Sequence, residues 1–413
     1  MTHKRYIVFF SHLLRLFKKE RYNLRFPLAV SNRMAHVTKS QLAILHILNA
    51  SSGFLSFISS LIVIAMIFNS KTKLTLPYRR IIFALSIYEI ILAMGNILTL
   101  PMIPASDNIW GSMGNDASCN ALGFMMYVGS SGVIMYNLSL CVLYICIIVY
   151  SMKQRDFTAK IEPFLHVIPI LLSFACGSIL LVKQYYNLGS YSVSCWIASY
   201  PSNCGTDENV PCERGEHYKQ MRMSFLFIPT AFTFSVIVIT MCCVYHKVYK
   251  IEKSRQRYMF RIPTQSTQST QAEIEHNSFQ NTSRTDTFDV TRTLPHEFRS
   301  ERNMSFIIGY RSRQRLLMKS SRNKAVLSQA LLFVLSYFVR WAAMIALAIQ
   351  YNINGDIPYW LLTITFTFYP LQGFMNLLMY VVPFIKTIRS SHPEYSWIYA
   401  FFRAVISGGD KET

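Results

Sequence analysis

An all-α integral membrane protein is predicted, a bundle of seven transmembrane helices with its N-terminus outside and its C-terminus inside. Three observations carry that expectation. The 413 residues are 52% hydrophobic and only 15% charged, where soluble proteins carry about a quarter charged residues. Seven stretches stay apolar over the roughly 20 residues a helix needs to cross a bilayer. The 41 Lys and Arg, against 21 Asp and Glu, gather in some of the connections between those stretches and are missing from others. A net charge of +20 would also suit nucleic-acid binding, but basic residues interleaved with long apolar runs mark cytoplasmic membrane loops. Nucleic acid is therefore not an expected partner.

Residues 1–41 form a basic N-terminal segment, with nine Lys and Arg in the first 40 positions and one acid, Glu20. That much positive charge is out of place on the outer side. "MTHKRYIVFFSHLLRLFKKERYNLRF" is too interrupted for a signal peptide, although its Arg-rich, acid-poor character is that of a transit peptide. A start at Met34 would leave only a short tail before span 1. Residues 42–248 hold spans 1–5, at 42–69, 78–103, 119–150, 164–182 and 222–248. Span 4, "FLHVIPILLSFACGSILLV", is short, and Pro169 is expected to kink it.

Residues 249–324 form the long cytoplasmic loop. Its ends, "YKIEKSRQRYMFRI" and "YRSRQRLLMKSSRNK", are basic with scattered apolar residues and extend spans 5 and 6 as helices at the anionic inner leaflet. Its Ser/Thr/Gln-rich centre is expected to be disordered. There Ser305, behind Arg302, is either a phosphate acceptor or part of a plain solvated linker. Residues 325–384 hold spans 6 (325–350) and 7 (357–384), and 385–413 form a cytoplasmic tail. In the tail, Pro393 and Glu394 suit a first helical turn. Trp397, Phe401 and Val405 then repeat at four-residue spacing, with Ile398 and Phe402 beside them. This is a short helix on the inner membrane surface or a fragment packed against the bundle.

Orientation follows from the loops. Lys71, Lys73, Arg79 and Arg80 lie between or flank spans 1 and 2, and Lys153, Arg155 and Lys160 lie between spans 3 and 4. Sixteen basic residues fall between Lys247 and Lys324, whereas loops 104–118 and 351–356 have none. No internal repeat is visible, which weighs against transporters built from duplicated halves.

Five of the nine cysteines, Cys141, Cys146, Cys176, Cys242 and Cys243, lie within spans as small packing residues. Cys119, Cys195, Cys204 and Cys212 fall on the outer side, where disulfides persist. Four cysteines allow three pairings. The pairing expected is Cys119–Cys195, tying the loop over the bundle, with Cys204–Cys212 closing a small hairpin. Zinc is not expected, because the spacings are irregular and only His217 lies nearby.

An acid at mid-bilayer costs roughly 2.5–3.5 kcal/mol, so one that is kept is normally paired and often functional. The spans contain one deep acid, Glu89, and one deep base, Arg340. At 1.5 Å per residue, Glu89 lies about 16 Å from the inner end of span 2 and Asn376 about 12 Å from the inner end of span 7. In "PLQGFMNLLMY" the residues Gln372, Asn376 and Tyr380 share one helix face. Lipid cannot satisfy that face, so it turns inward, with Gly373 allowing a neighbouring helix to approach closely. Glu89 is the best partner for Asn376, whether as a working element or as polar glue between helices. Arg340, beside Trp341 in the outer half of span 6, either lines an outward-facing cavity and meets an anionic ligand or snorkels to the outer interface. Of the histidines within spans, His46 and His166 have no nearby acidic or cysteine partner in the sequence, and neither H-E-x-x-H nor G-x-S-x-G occurs. No catalytic activity and no cofactor are expected.

Seven spans with an outer N-terminus, a cysteine opening span 3 and the pair Cys195–Trp196 in the second outer loop together resemble the G-protein-coupled receptors. The Cys-Trp pair resembles the secretin-like and slime-mould cyclic-AMP-receptor branches in particular. "QGFMNLLMY" is similar to the "QGFLNxxxY" that closes span 7 of the cyclic-AMP-receptor-like proteins. It also stands where rhodopsin-like receptors have N-P-x-x-Y, with Leu377 in place of the proline. "LSIYE" resembles the L-A-x-x-D of span 2, with Glu89 where an Asp is usual. The chain departs from the rhodopsin-like pattern at the end of span 3, "IIVYSMK", and in lacking C-W-x-P in span 6. No cysteine occurs in the N-terminal segment, so it cannot build the hormone trap of secretin-like receptors. No lysine lies between 357 and 384, which excludes an opsin's retinal Schiff base.

The resemblance covers roughly 42–384 and implies a plasma-membrane receptor for a small-molecule or peptide ligand, signalling to a heterotrimeric G protein. It makes Glu89, Gln372, Asn376 and Tyr380 an activation switch, and Arg340, Trp341 and Trp196 candidates for the ligand cavity. Lys250, Arg255 and Arg315 would face the G protein. The competing reading is a seven-span carrier or channel, with Glu89 and Arg340 on the permeation path.

Overall fold

The computed structural model describes residues 37–189, 193–201, 204, 210–261, 332, 336–347, 349, 350 and 357–408. The N-terminal segment to residue 36, the centre of the long loop with Ser305, and Arg315 lie outside the described residues.

Local chemistry sets the helix starts. α1 (Lys39–Asn69) opens on a capping box, in which Thr38 accepts from the Gln41 backbone while the Gln41 side chain accepts from that of Thr38. α2 (Pro77–Ile97) starts with a proline, whose missing N–H is no loss in a first turn. It stops short of the expected end at 103. Pro101 offers no N–H to continue the ladder, and a separate turn, Thr99–Met102, follows. α3 (Asp116–Val149) is capped by Asn115 and Ser118 and widens into a π-helical turn over Ile145–Val149.

α4 (Glu162–Val182) continues as one helix through Pro169. The proline leaves the Leu165 carbonyl without its helical donor, and the Ser139 hydroxyl of α3 supplies one at 3.2 Å. α5 (Tyr218–Ser254) begins before the expected boundary, and its helix continues to Arg261, into the basic end of the long loop. α6 is described over Ser336–Leu347. α7 (Tyr359–Ser391) is interrupted by a 3-10 turn, Tyr369–Leu371, centred on Pro370. α8 (Trp397–Ile406) starts later than expected. Ser396 caps it, accepting from the Tyr399 N–H at 3.1 Å, while Pro393 and Glu394 lie in the turn before it.

Among the described residues, six helices, α1–α5 and α7, are long and apolar enough to cross a membrane. Of the sixth predicted span, residues 332, 336–347, 349 and 350 are described, and all of them are helical. α2 packs between α1 and α3, α4 leans on α3, and α7 lies along α1. The main core joins α1, α2, α3, α5, α7 and α8 through Met66, Leu85, Tyr136, Val244, Tyr380 and Ala400. Much of the apolar surface of α4 points outward, including Phe164, Ile168, Leu171 and Phe174. An outward apolar face of this extent is matched by hydrocarbon.

The tail helix packs one side on the bundle. Ala400 and Ala404 are buried against the bundle, while Trp397, Ile398, Phe402 and Ile406 are exposed. Between α4 and α5, β1 (Tyr186–Leu188) and β2 (Cys195–Ile197) form an antiparallel hairpin with Leu188 opposite Cys195. The Cys119–Cys195 disulfide ties that hairpin to the start of α3, and Cys204–Cys212 closes a smaller loop.

Candidate functional site

Four helices bring polar groups to one point in the bundle. Glu89 of α2 is buried, and both of its oxygens are engaged. Ser60 of α1 donates to Oε2 at 3.2 Å, and the Asn376 amide of α7 donates to Oε1. Asn376 Oδ1 in turn accepts from Gln372 Nε2 at 3.3 Å and from the Ser336 hydroxyl of α6 at 3.4 Å. The four-residue spacing of Gln372, Asn376 and Tyr380 puts all three inward, and each is buried. Tyr380 stands one turn further in, its ring edge-on to Phe384 at 5.5 Å.

α1 also holds the broken segment of α7. The Ser56 hydroxyl donates to the Pro370 carbonyl and accepts from the Gly373 N–H at 3.1 Å. Gly373 is where α1 comes closest. A Cβ there would lie 2.6 Å from Ser60 Oγ and 2.8 Å from the Ser56 carbonyl oxygen, so only glycine fits.

Arg340 is buried within the bundle and does not reach its surface. It is only 1% exposed. Its Nη2 donates to Ser130 of α3 at 3.4 Å, and its guanidinium lies 4.5 Å from the Tyr369 ring and 5.5 Å from the Trp341 ring. The Tyr369 and Ser130 hydroxyls are 3.1 Å apart. Ser130 also lines a narrow crevice, with room for about one water, between α3, α5 and the β-hairpin, beside Tyr127, Ser131, Met135, Trp196 and Pro229. The three candidate cavity residues thus divide. Trp196 borders the crevice, Arg340 lies behind Ser130, and Trp341 is buried among Tyr337 and Tyr369.

At the inner ends of α2 and α4, Arg80 grips Glu162 with both arms, Nε to Oε1 at 2.5 Å and Nη2 to Oε2 at 2.6 Å. It also donates to Thr158 Oγ1 at 3.1 Å. Glu162 corrects the expectation for His166, which does have an acidic neighbour. Its Nε2 is 3.8 Å from Glu162 Oε1, one turn away, and its Nδ1 is 3.3 Å from the Tyr136 hydroxyl. Lys250 is exposed on α5. Arg255 lies on the same helix, and its side chain is outside the described residues.

Ser56, Ser60, Ser130, Ser336 and Tyr369 were not singled out in the sequence. A signal for two of them was present, since Ser52, Ser56 and Ser60 repeat at four-residue spacing in span 1 just as the amides do in span 7. Among the described residues there is no group of three or more His, Cys, Asp or Glu able to hold a metal ion.

No protein-family model matches the chain, and no curated protein matches it. Among solved structures it is similar to the crystal structure of squid rhodopsin. That likeness covers 88% of this chain and 87% of that one, with a TM-score of 0.52 at 13% sequence identity. The chain therefore shares the fold of squid rhodopsin.

Proposed function

We propose that this chain is a cell-surface receptor of the seven-transmembrane type that passes an extracellular signal to a heterotrimeric G protein. Among receptors, the span 7 sequence and the Cys195–Trp196 pair favour the cyclic-AMP-receptor-like branch. The observation that carries the reading is the buried network centred on Asn376, which joins α1, α2, α6 and α7 within a rhodopsin-like fold.

In this reading the ligand, a small molecule or peptide, binds from the outside in the plasma membrane, near Trp196 and Arg340. It shifts the bundle between two arrangements only by its difference in affinity for them. Glu89, Gln372, Asn376 and Tyr380 form the switch. The basic inner ends, with Lys250, Arg255 and Arg315, face the G protein and the anionic lipid. Domain limits follow the spans, with 249–324 as the cytoplasmic loop and 385–413 as the inner tail.

The test is nucleotide exchange on a panel of G proteins by the chain reconstituted in nanodiscs, combined with Asn376→Ala. The variant is expected to abolish exchange or lock it on at unchanged surface expression. Exchange that is present and identical in both chains would remove the switch role. Absence of exchange across the panel, together with solute flux in liposomes that Glu89→Gln stops, would favour a carrier.

A further inference from the structure

Thr158 is an exposed residue set among basic groups. It lies on a seven-residue helix, Gln154–Lys160, in the connection between α3 and α4. In "KQRDFTAK", Lys153 stands five residues before it, Arg155 three before and Lys160 two after, and all three are exposed. A kinase whose substrate groove is acidic reads cations at such offsets. Asp156 is the one acid of this stretch, and at two residues away it does not share the helix face of Thr158.

The fold supplies a receiver for the phosphate. Arg80 Nη2 donates to Thr158 Oγ1 at 3.1 Å with the same arm that reaches Glu162 Oε2 at 2.6 Å, while its Nε holds Glu162 Oε1 at 2.5 Å. Thr158 and Glu162 therefore share one guanidinium. The Glu162 side chain is only 5% exposed, against 28% for that of Arg80, so the carboxylate has little water to replace a lost partner. A phosphate on threonine carries about −1.5 to −2 charge at neutral pH and three strong acceptor oxygens. It outbids a singly charged carboxylate for the planar fork.

We propose that Thr158 is a phosphorylation site for a basophilic serine/threonine kinase, and that its phosphate draws Arg80 off Glu162 and loosens α2 from α4. The Thr158 oxygen attacks the γ-phosphorus of MgATP. The new Oγ–P bond forms as the bond from that phosphorus to the β–γ bridging oxygen breaks, and ADP leaves with the electron pair. The hydroxyl proton passes to a base of the kinase and on to solvent. A kinase holds its substrate extended, so the short helix opens first. Seven residues have little helical stability of their own, and Phe157, fully buried, anchors them in the core. The proposal rests on the receptor reading only for orientation, which puts this connection in the cytoplasm beside MgATP.

The experiment treats the full chain in nanodiscs with MgATP and a panel of purified basophilic kinases, and maps phosphate by mass spectrometry. A synthetic peptide of residues 150–162 selects the kinases that read this sequence. At least one of them is expected to phosphorylate Thr158 in the folded chain and to lower its thermal midpoint by about 2 °C or more. Thr158→Val, treated alike, corrects for phosphate placed elsewhere. In Arg80→Gln the Thr158 phosphate is expected to leave the midpoint unmoved, because no guanidinium is left to contest. Should that variant not fold, Glu162→Gln is expected to shrink the drop at least about twofold, because a neutral amide loses less than a carboxylate when Arg80 leaves. No phosphate on Thr158 of the chain overturns the proposal. So does phosphate that leaves the midpoint unchanged or raised, or a drop of equal size in the folded variant. A Thr158-dependent drop in a chain that catalyses no nucleotide exchange keeps the site and removes the receptor reading. Exchange by a chain whose Thr158 takes no phosphate does the reverse.

Discussion

At the scale of single residues, the site is held by hydroxyls and one glycine as much as by its carboxylate. Gly373→Ala places a methyl group against Ser60 and the α1 backbone. Overpacking of that kind costs roughly 1–3 kcal/mol, so the variant should unfold several degrees lower in a thermal melt of the purified chain. An unchanged midpoint would mean that α1 can retreat freely. The amide stripe was legible in the sequence because Gln372 and Asn376 have no means of satisfying themselves in a helix. The serines were not. A helical serine can donate to the carbonyl four residues back, as Ser173 does to Pro169 at 2.7 Å. Its presence in an apolar run therefore says little about whether it reaches across to a neighbour, as Ser60 and Ser336 do.

At the scale of elements, α2 and α4 are clamped at their inner ends by Arg80 and Glu162. Arg80→Lys keeps the charge and loses the two-armed grip. A loss of roughly 1–3 kcal/mol is expected for the hydrogen bonds to the charged partner, read as a lower denaturation midpoint. Equal midpoints would mark the pair as a surface ornament. The sequence did not reveal this clamp, because the apolar run of span 4 starts two residues after Glu162, which placed the acid in a loop. Element existence was readable from hydropathy, and the orderly departures came where backbone donors fail. α2 ends near Pro101, α7 breaks at Pro370, and α4 survives Pro169 with help from Ser139. That last rescue depends on a side chain thirty residues away, which no local pattern encodes.

At the scale of the whole molecule, the clustering of basic residues in alternate connections predicts one orientation, with the long loop in the cytoplasm. Protease applied outside intact cells should leave the chain uncut between Thr264 and Thr287, by mass spectrometry of the released peptides. Fragments from that stretch would invert the arrangement. Six of the seven runs were legible as spans because a long apolar run has few alternatives to a helix in lipid. The outer lid was partly legible, since four cysteines on one side announced cross-links but not the β-hairpin between α4 and α5.

The short 3-10 turn at Tyr369–Leu371 joins the two polar sites mechanically. Tyr369 faces Arg340 above it, and Asn376 faces Glu89 below. Three residues rewound from 3-10 to α geometry, from about 3.0 to 3.6 residues per turn and from 2.0 to 1.5 Å rise, would screw the lower half of α7 round by about 60° and retract it by about 1.5 Å. A swing of that size would be enough to draw the Asn376 amide off the Glu89 carboxylate.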